Sequence, residues 1–93
     1  MVTVILTVRL QLPGPSSLKE KRRIIKSLLA RLRNNFNISI AEVADNDLPR
    51  AATLGAAVVS NSTSYGHQVI SKVVSKIEAT SEVVLLDYST ETY

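Results

Sequence analysis

Val2-Thr3-Val4-Ile5-Leu6-Thr7-Val8-Arg9-Leu10-Gln11-Leu12, followed by Pro13-Gly14-Pro15-Ser16 and then Ser17-Leu18-Lys19-Glu20, decides how the rest of the chain reads. Every even position from Val2 to Leu12 is apolar, while the odd ones include Thr3, Thr7, Arg9 and Gln11. That alternation is the period of a half-buried strand. The Pro-Gly-Pro break ends it. Ser17 with Glu20 three residues on is a capping box, in which the hydroxyl takes a free amide of the first helical turn and the carboxylate reaches back. A strand followed by a helix starting at Leu18 therefore opens the domain.

Working outward, Leu18, Ile25, Leu28, Leu29 and Leu32 fall on one stripe at about 100° per residue, so the helix lays that stripe on a sheet. Asn34-Asn35 supplies a stop, because Asn tolerates the left-handed conformation used at helix ends. Phe36, Ile38 and Ile40 alternate with polar or small residues and read as a second strand. Asp45-Asn46-Asp47-Leu48-Pro49 is a turn, and a third strand starts near Ala51. Its run through Leu54, Ala56, Ala57, Val58 and Val59 is apolar in both phases, as expected of an interior strand with both faces at least partly covered. Gly55 allows close packing there. A second helix with Val69, Ile70, Val73 and Ile77 inward begins at one of Ser62, Thr63 or Ser64, with Ser64 favoured as its cap. Val83-Val84-Leu85-Leu86-Asp87-Tyr88 reads as the last strand, followed by a polar tail.

The order β-α-β-β-α-β, with right-handed crossovers, predicts an α+β fold of ferredoxin-like type: a four-stranded antiparallel sheet with two helices on one face, in a single domain over 1–93. The other sheet face is then open. By alternation it carries Thr3, Ile5, Thr7 and Arg9 from the first strand and Gly55, Ala57 and Val59 from the third. Ile5, Thr7, Arg9, Ala57 and Val59 are the candidate interface, since a chain of 93 residues gains by burying such a face against a second copy.

Composition narrows the function classes. With no cysteine, thiol nucleophiles, disulfides and thiolate metal sites are excluded, and a reducing, cytoplasmic compartment is the expected one. The first residues lack a basic leader, and their apolar run is too short and too regularly interrupted to span a bilayer. Asn61-Ser62-Thr63 matches a glycosylation acceptor but carries no weight without a secretory signal. His67 has no neighbouring nucleophile. No P-loop, GxSxG or metal-ligand spacing occurs, and Leu12 to Ser17 lacks the arginine that an acylphosphatase-like anion loop would need. Catalysis, cofactor and metal are therefore not expected. Glu42 shares the phase of Ile38 and Ile40, which turns it toward the helices and calls for a base from the first helix or Arg50.

Charge is segregated. Between Ser16 and Asn35 stand Lys19, Lys21, Arg22, Arg23, Lys26, Arg31 and Arg33 against Glu20 alone, a balance of +6 in a chain of net +3. On a helical wheel Lys19, Arg22, Arg23, Lys26 and Arg33 share one arc away from the leucine stripe. Lys21 falls inside the apolar arc, where its stem would lie along the sheet edge with the ammonium in water. Several cations sit in the first two turns, where the helix dipole disfavours them, so helix stability alone does not choose them. A solvated helix face and an anion-binding surface both fit this pattern.

Ser17-Leu18-Lys19-Glu20-Lys21-Arg22, Phe36-Asn37-Ile38-Ser39-Ile40-Ala41-Glu42-Val43, Asp47-Leu48 leading to Arg50, and Val58-Val59-Ser60 together resemble the YlxP-like family of small bacterial proteins. The resemblance covers most of the chain in the same order and implies a ferredoxin-like fold. Genes of that family commonly lie beside those for transcription and translation factors, including ribosome-binding factor A, which implies a place near ribosomal RNA. The family transfers no reaction and no catalytic residues. One departure is Pro49, where relatives often carry a bulky aromatic in the hairpin.

Two function classes follow. In the first, a non-catalytic module contacts RNA or the ribosome through Lys19, Lys21, Arg22, Arg23, Lys26 and Arg33. With no aromatic on the first or third strand to stack bases, such contacts go to phosphates and are weakly sequence-specific. In the second, the domain is a structural homodimer or protein assembly module that uses the open sheet face and has no nucleic-acid role.

Overall fold

In a computed structural model describing residues 1–93, the elements run β1 (Val2–Gln11), α1 (Leu18–Asn35), β2 (Ser39–Ala44), β3 (Ala51–Ser60), α2 (Thr63–Glu78) and β4 (Val84–Thr92). The strands form one antiparallel sheet in the order β2-β3-β1-β4. This is the expected ferredoxin-like α+β arrangement. β1 and β3 occupy the centre because they are the longest apolar strands and each can be flanked on both sides. Even residues of both strands face the helices, in register from Val4↔Val58 to Leu10↔Ala52.

One cluster of 18 buried apolar residues fills the space between sheet and helices. β1 contributes Val4, Leu6, Val8, Leu10 and Leu12, α1 contributes Ile25, Leu28 and Leu32, and α2 contributes Ile70, Val73, Val74 and Ile77. Leu29, Phe36 and Val69 pack at its margin. The close seat of α2 depends on Gly66: a β-carbon there would stand 2.9 Å from Val4 Cγ2, whose side chain is itself fully buried. No helix is long and apolar enough to cross a membrane.

Three local expectations are corrected. α2 is capped by Ser62, whose hydroxyl accepts from Tyr65 N–H at 3.2 Å, so the helix starts two residues before the favoured Ser64 cap would allow. The second strand begins at Ser39 because Phe36 N–H still donates to Leu32 O and closes α1. The last strand does not stop at Tyr88; Ser89 to Thr92 continue its pairing with β1, so what reads as a polar tail is ladder. The cap of α1 forms at Ser17 as expected, with Glu20 N–H donating to Ser17 Oγ at 3.2 Å. Its carboxylate goes one residue further back, accepting from Ser16 N–H at 3.0 Å.

Open-face residues fall where alternation puts them. Thr3↔Val59, Ile5↔Ala57, Thr7↔Gly55 and Arg9↔Thr53 are cross-strand pairs on the side away from the helices. Gly55 leaves room for the Val43 side chain, which bulges out of β2 and would lie 3.0 Å from a β-carbon at that position. The apolar odd phase of β3 is covered only by such lateral neighbours, and Val59 is 66% exposed.

Candidate nucleic-acid interface

α1 runs beside the β2 edge of the sheet, and its basic arc is divided by what it touches. Arg22 and Lys26 lie one turn apart along the helix, Arg33 two turns further on, and with Ile25, Leu29 and Glu42 they line a shallow groove of about 270 Å³ between α1 and β2. Lys19 and Arg23 lie outside that lining and are exposed, as is Arg31. The only ion pairs in the protein are Arg9–Asp87 and Lys21–Glu42. Lys19, Arg22, Arg23, Lys26 and Arg31 therefore have no carboxylate partner within the chain.

Arg33 has a second task. Its Nη2 donates to Ile40 O at 2.7 Å, which ties the last turn of α1 to the outer edge of β2. A guanidinium has five N–H donors in a planar fork, so one bond to a carbonyl leaves the others available at the groove. The lining combines these cations with the apolar sides of Ile25 and Leu29. The one carboxylate in the lining, Glu42, is paired with the buried Lys21.

Lys21 must be removed from the ridge. It is fully buried, with its ammonium donating to Asp45 O at 2.7 Å and forming an ion pair with Glu42 Oε2 at the same distance. The angular position of Lys21 inside the leucine arc is the signal for this. The water-directed ammonium inferred from it fails because two oxygens converge on the site from β2 and the following turn. Asp45 adopts a left-handed backbone (φ 63°), turning its carbonyl inward, and its Oδ2 accepts from Thr53 Oγ1 at 2.7 Å. An ammonium sealed from water is tolerated only with such partners. No donor is aligned on Glu42 Oε2 for a hydrogen bond, so its contact with Lys21 is one of charge.

The candidate interface residues of the open face are together on one surface. Arg9 reaches across to Asp87 with Nη1–Oδ2 at 2.8 Å, both groups exposed, so its charge is shared with β4. Ile5, Thr7 and Ala57 are half-buried between neighbouring strands, and Val59 stands clear. His67 on α2 meets Thr92 Oγ1 at 2.9 Å, joining the helix to the end of β4. Two features were missed by reading the sequence: the Arg33 bond to β2, which no local pattern announces, and the length of β4.

Comparison with known proteins agrees with this architecture. Solved structures of two de novo designed proteins superpose on it: a ferredoxin-fold design, LFR1 1, at TM-score 0.57 and 13% identity over 100% of this chain and 84% of that one, and Foldit4 at TM-score 0.54 and 11% identity over 98% and 96%. At those identities the likeness is one of fold. In sequence, the chain is 36% identical over 67 residues to the uncharacterised protein YlxP of Bacillus subtilis (strain 168), covering 72% of this chain and 73% of that protein. Residues 3–90 match the family model described as protein of unknown function, DUF503. The chain thus belongs to the DUF503 family, of which the YlxP resemblance read from its motifs is the sequence signature.

Proposed function

We propose that this domain is a non-catalytic module that binds structured RNA, ribosomal RNA in the first instance, through phosphate contacts from the outer face of α1. The observation that carries the reading is the set of five α1 cations, Lys19, Arg22, Arg23, Lys26 and Arg31, left without an intramolecular carboxylate. Arg33 joins them at the groove. Of these, Lys19, Arg22 and Arg23 stand in the first two turns, against the helix dipole, and a polyanionic partner offsets that cost by releasing its counterions. Lys21 takes no part. The central strands present no aromatic to stack a base, so affinity depends on salt and little on sequence.

The test is binding to structured ribosomal RNA across a salt series. For wild type, log affinity falls linearly with log salt. Arg22→Glu with Lys26→Glu weakens binding at least about tenfold and flattens the slope by about two, one for each lost phosphate contact. Equal affinity for the double variant, or a flat salt response of the wild type, overturns the reading. A second reading, assembly through the open sheet face, is supported by the exposed Val59 beside Ile5 and Ala57. It expects an oligomer that Ile5→Lys disperses, measured as solution mass.

A further inference from the structure

β4 ends the sheet with an unsatisfied ladder. Thr3 and Tyr93 exchange both backbone bonds, Thr3 N–H to Tyr93 O at 2.9 Å and Tyr93 N–H to Thr3 O at 2.8 Å. The register continues Ile5↔Glu91, Thr7↔Ser89 and Arg9↔Asp87. Because bonded and non-bonded pairs alternate in an antiparallel ladder, the backbone groups of Tyr88, Thr90 and Thr92 point away from β1. Nothing lies beyond them, as β4 is an outer strand. Almost every residue of β4 is exposed, including Leu86 at 50% and Tyr88 at 53%. The strand carries no proline and no lysine, the usual devices against edge pairing.

We propose that this edge pairs antiparallel with β4 of a second copy, Thr90 opposite Thr90 of the partner subunit, to give a continuous eight-stranded sheet. The occupant is a second copy because the strand is complementary to itself in one register. Its regular part starts after Leu86, the extra residue between the pairs Arg9↔Asp87 and Leu10↔Leu85, and runs from Asp87 to Tyr93, whose midpoint is Thr90. A two-fold axis there sets all three outward residues in bonded positions. It also sets Glu91 opposite a serine and Asp87 opposite a tyrosine. Centring on Ser89 instead would oppose Asp87 and Glu91, and like charges directly across a strand pair destabilise it.

The surroundings fit the same occupant. On the helix side Tyr88 and Thr90 border a groove completed by His67, Ile70, Ser71 and Val74, which contains no formally charged residue to repel its own copy. Seven residues at about 3.4 Å each make a strip about 24 Å long. With side chains on both faces this buries about 500 Å² per copy, at the lower bound of a specific interface, so association is expected on the order of 10 μM. The two-fold closes, so pairing stops at the dimer. It leaves the α1 surfaces at opposite ends of the long sheet, independent of what they bind.

The experiment measures solution mass from about 1 to about 100 μM for the full chain, together with amide exchange. Wild type goes from monomer to dimer across that range, and the Tyr88, Thr90 and Thr92 amides slow with concentration. Thr90→Pro removes an N–H that β1 does not use, and Thr90→Lys places a charge at the axis. Each weakens dimerisation at least about tenfold with an unchanged circular dichroism spectrum. Should the proline variant unfold, the lysine variant and the exchange data still read the edge. A wild type that stays monomeric at about 100 μM overturns the proposal, as does a dimer that persists in Thr90→Lys, including one dispersed by Ile5→Lys instead.

Discussion

The two outer strands of the sheet face the same physical problem and treat it differently. β2 is six residues long, is broken by the Val43 bulge, and has its Ile40 carbonyl taken by Arg33 from α1. At its far end Lys21 binds Glu42 and the Asp45 carbonyl from beneath. β4 is nine residues long, is met by α2 only at its flank, and offers three successive outward residues with nothing on them. An outer strand is a template for another chain unless it is shortened, bent or charged. Here one edge is closed by the very helix that carries the free cations, and the opposite edge is left regular from Asp87 onward, past its own irregularity at Leu86. The contrast places the charged surface and the pairing-competent surface at opposite ends of one sheet.

The largest effect should come from undoing the closed edge at its buried end. Lys21→Met leaves Glu42 half-sealed without its cation and is expected to cost about 3 kcal/mol in urea unfolding, with Lys21→Met, Glu42→Gln recovering part of the loss. Gly66→Ala is expected to cost about 1–2 kcal/mol in the same measurement, because the added methyl meets the immovable Val4 and α2 is what flanks β4. Arg33→Ala would uncover the Ile40 carbonyl. It should lose about 1 kcal/mol and speed exchange of the β2 amides, making the closed edge behave more like the open one.

Smaller effects belong to β4. Glu91 accepts from the Tyr93 hydroxyl, and this bond with its negative charge holds the phenol above its ordinary value. Glu91→Gln should bring the Tyr93 titration back down, read by following its ring resonances against pH. Stability should hardly change, as the pair is fully exposed. Thr90→Lys, which gives β4 the lysine it lacks, should likewise stay within about 0.5 kcal/mol of wild type, so that any loss of association reports the edge and not the fold.

Legibility in the sequence followed locality. The start of α1 could be read because a cap is settled by residues three apart, Ser17 and Glu20. β1 and its two faces could be read because strict alternation leaves one phase for the core. The end of β4 could not, since Ser89-Thr90-Glu91-Thr92 has no apolar phase; these residues are held as strand by the β1 backbone, a partner more than 80 residues distant in the chain. Of the basic residues, six of the seven on α1 stand exposed, as segregation of charge led one to expect. The seventh, Lys21, depended on where Glu42 and the Asp45 carbonyl arrive from another hairpin.

By itself the chain determined the element order, the ferredoxin-like topology, the inward stripes of both helices and the concentration of cations on α1. Each of these is a matter of periodicity or composition within one segment. Only the tertiary structure decided which cation is buried, which one closes β2, and which edge of the sheet is left unpaired. Those depend on groups brought together from separate segments, where a single bond of 2.7 Å converts a surface charge into a structural one.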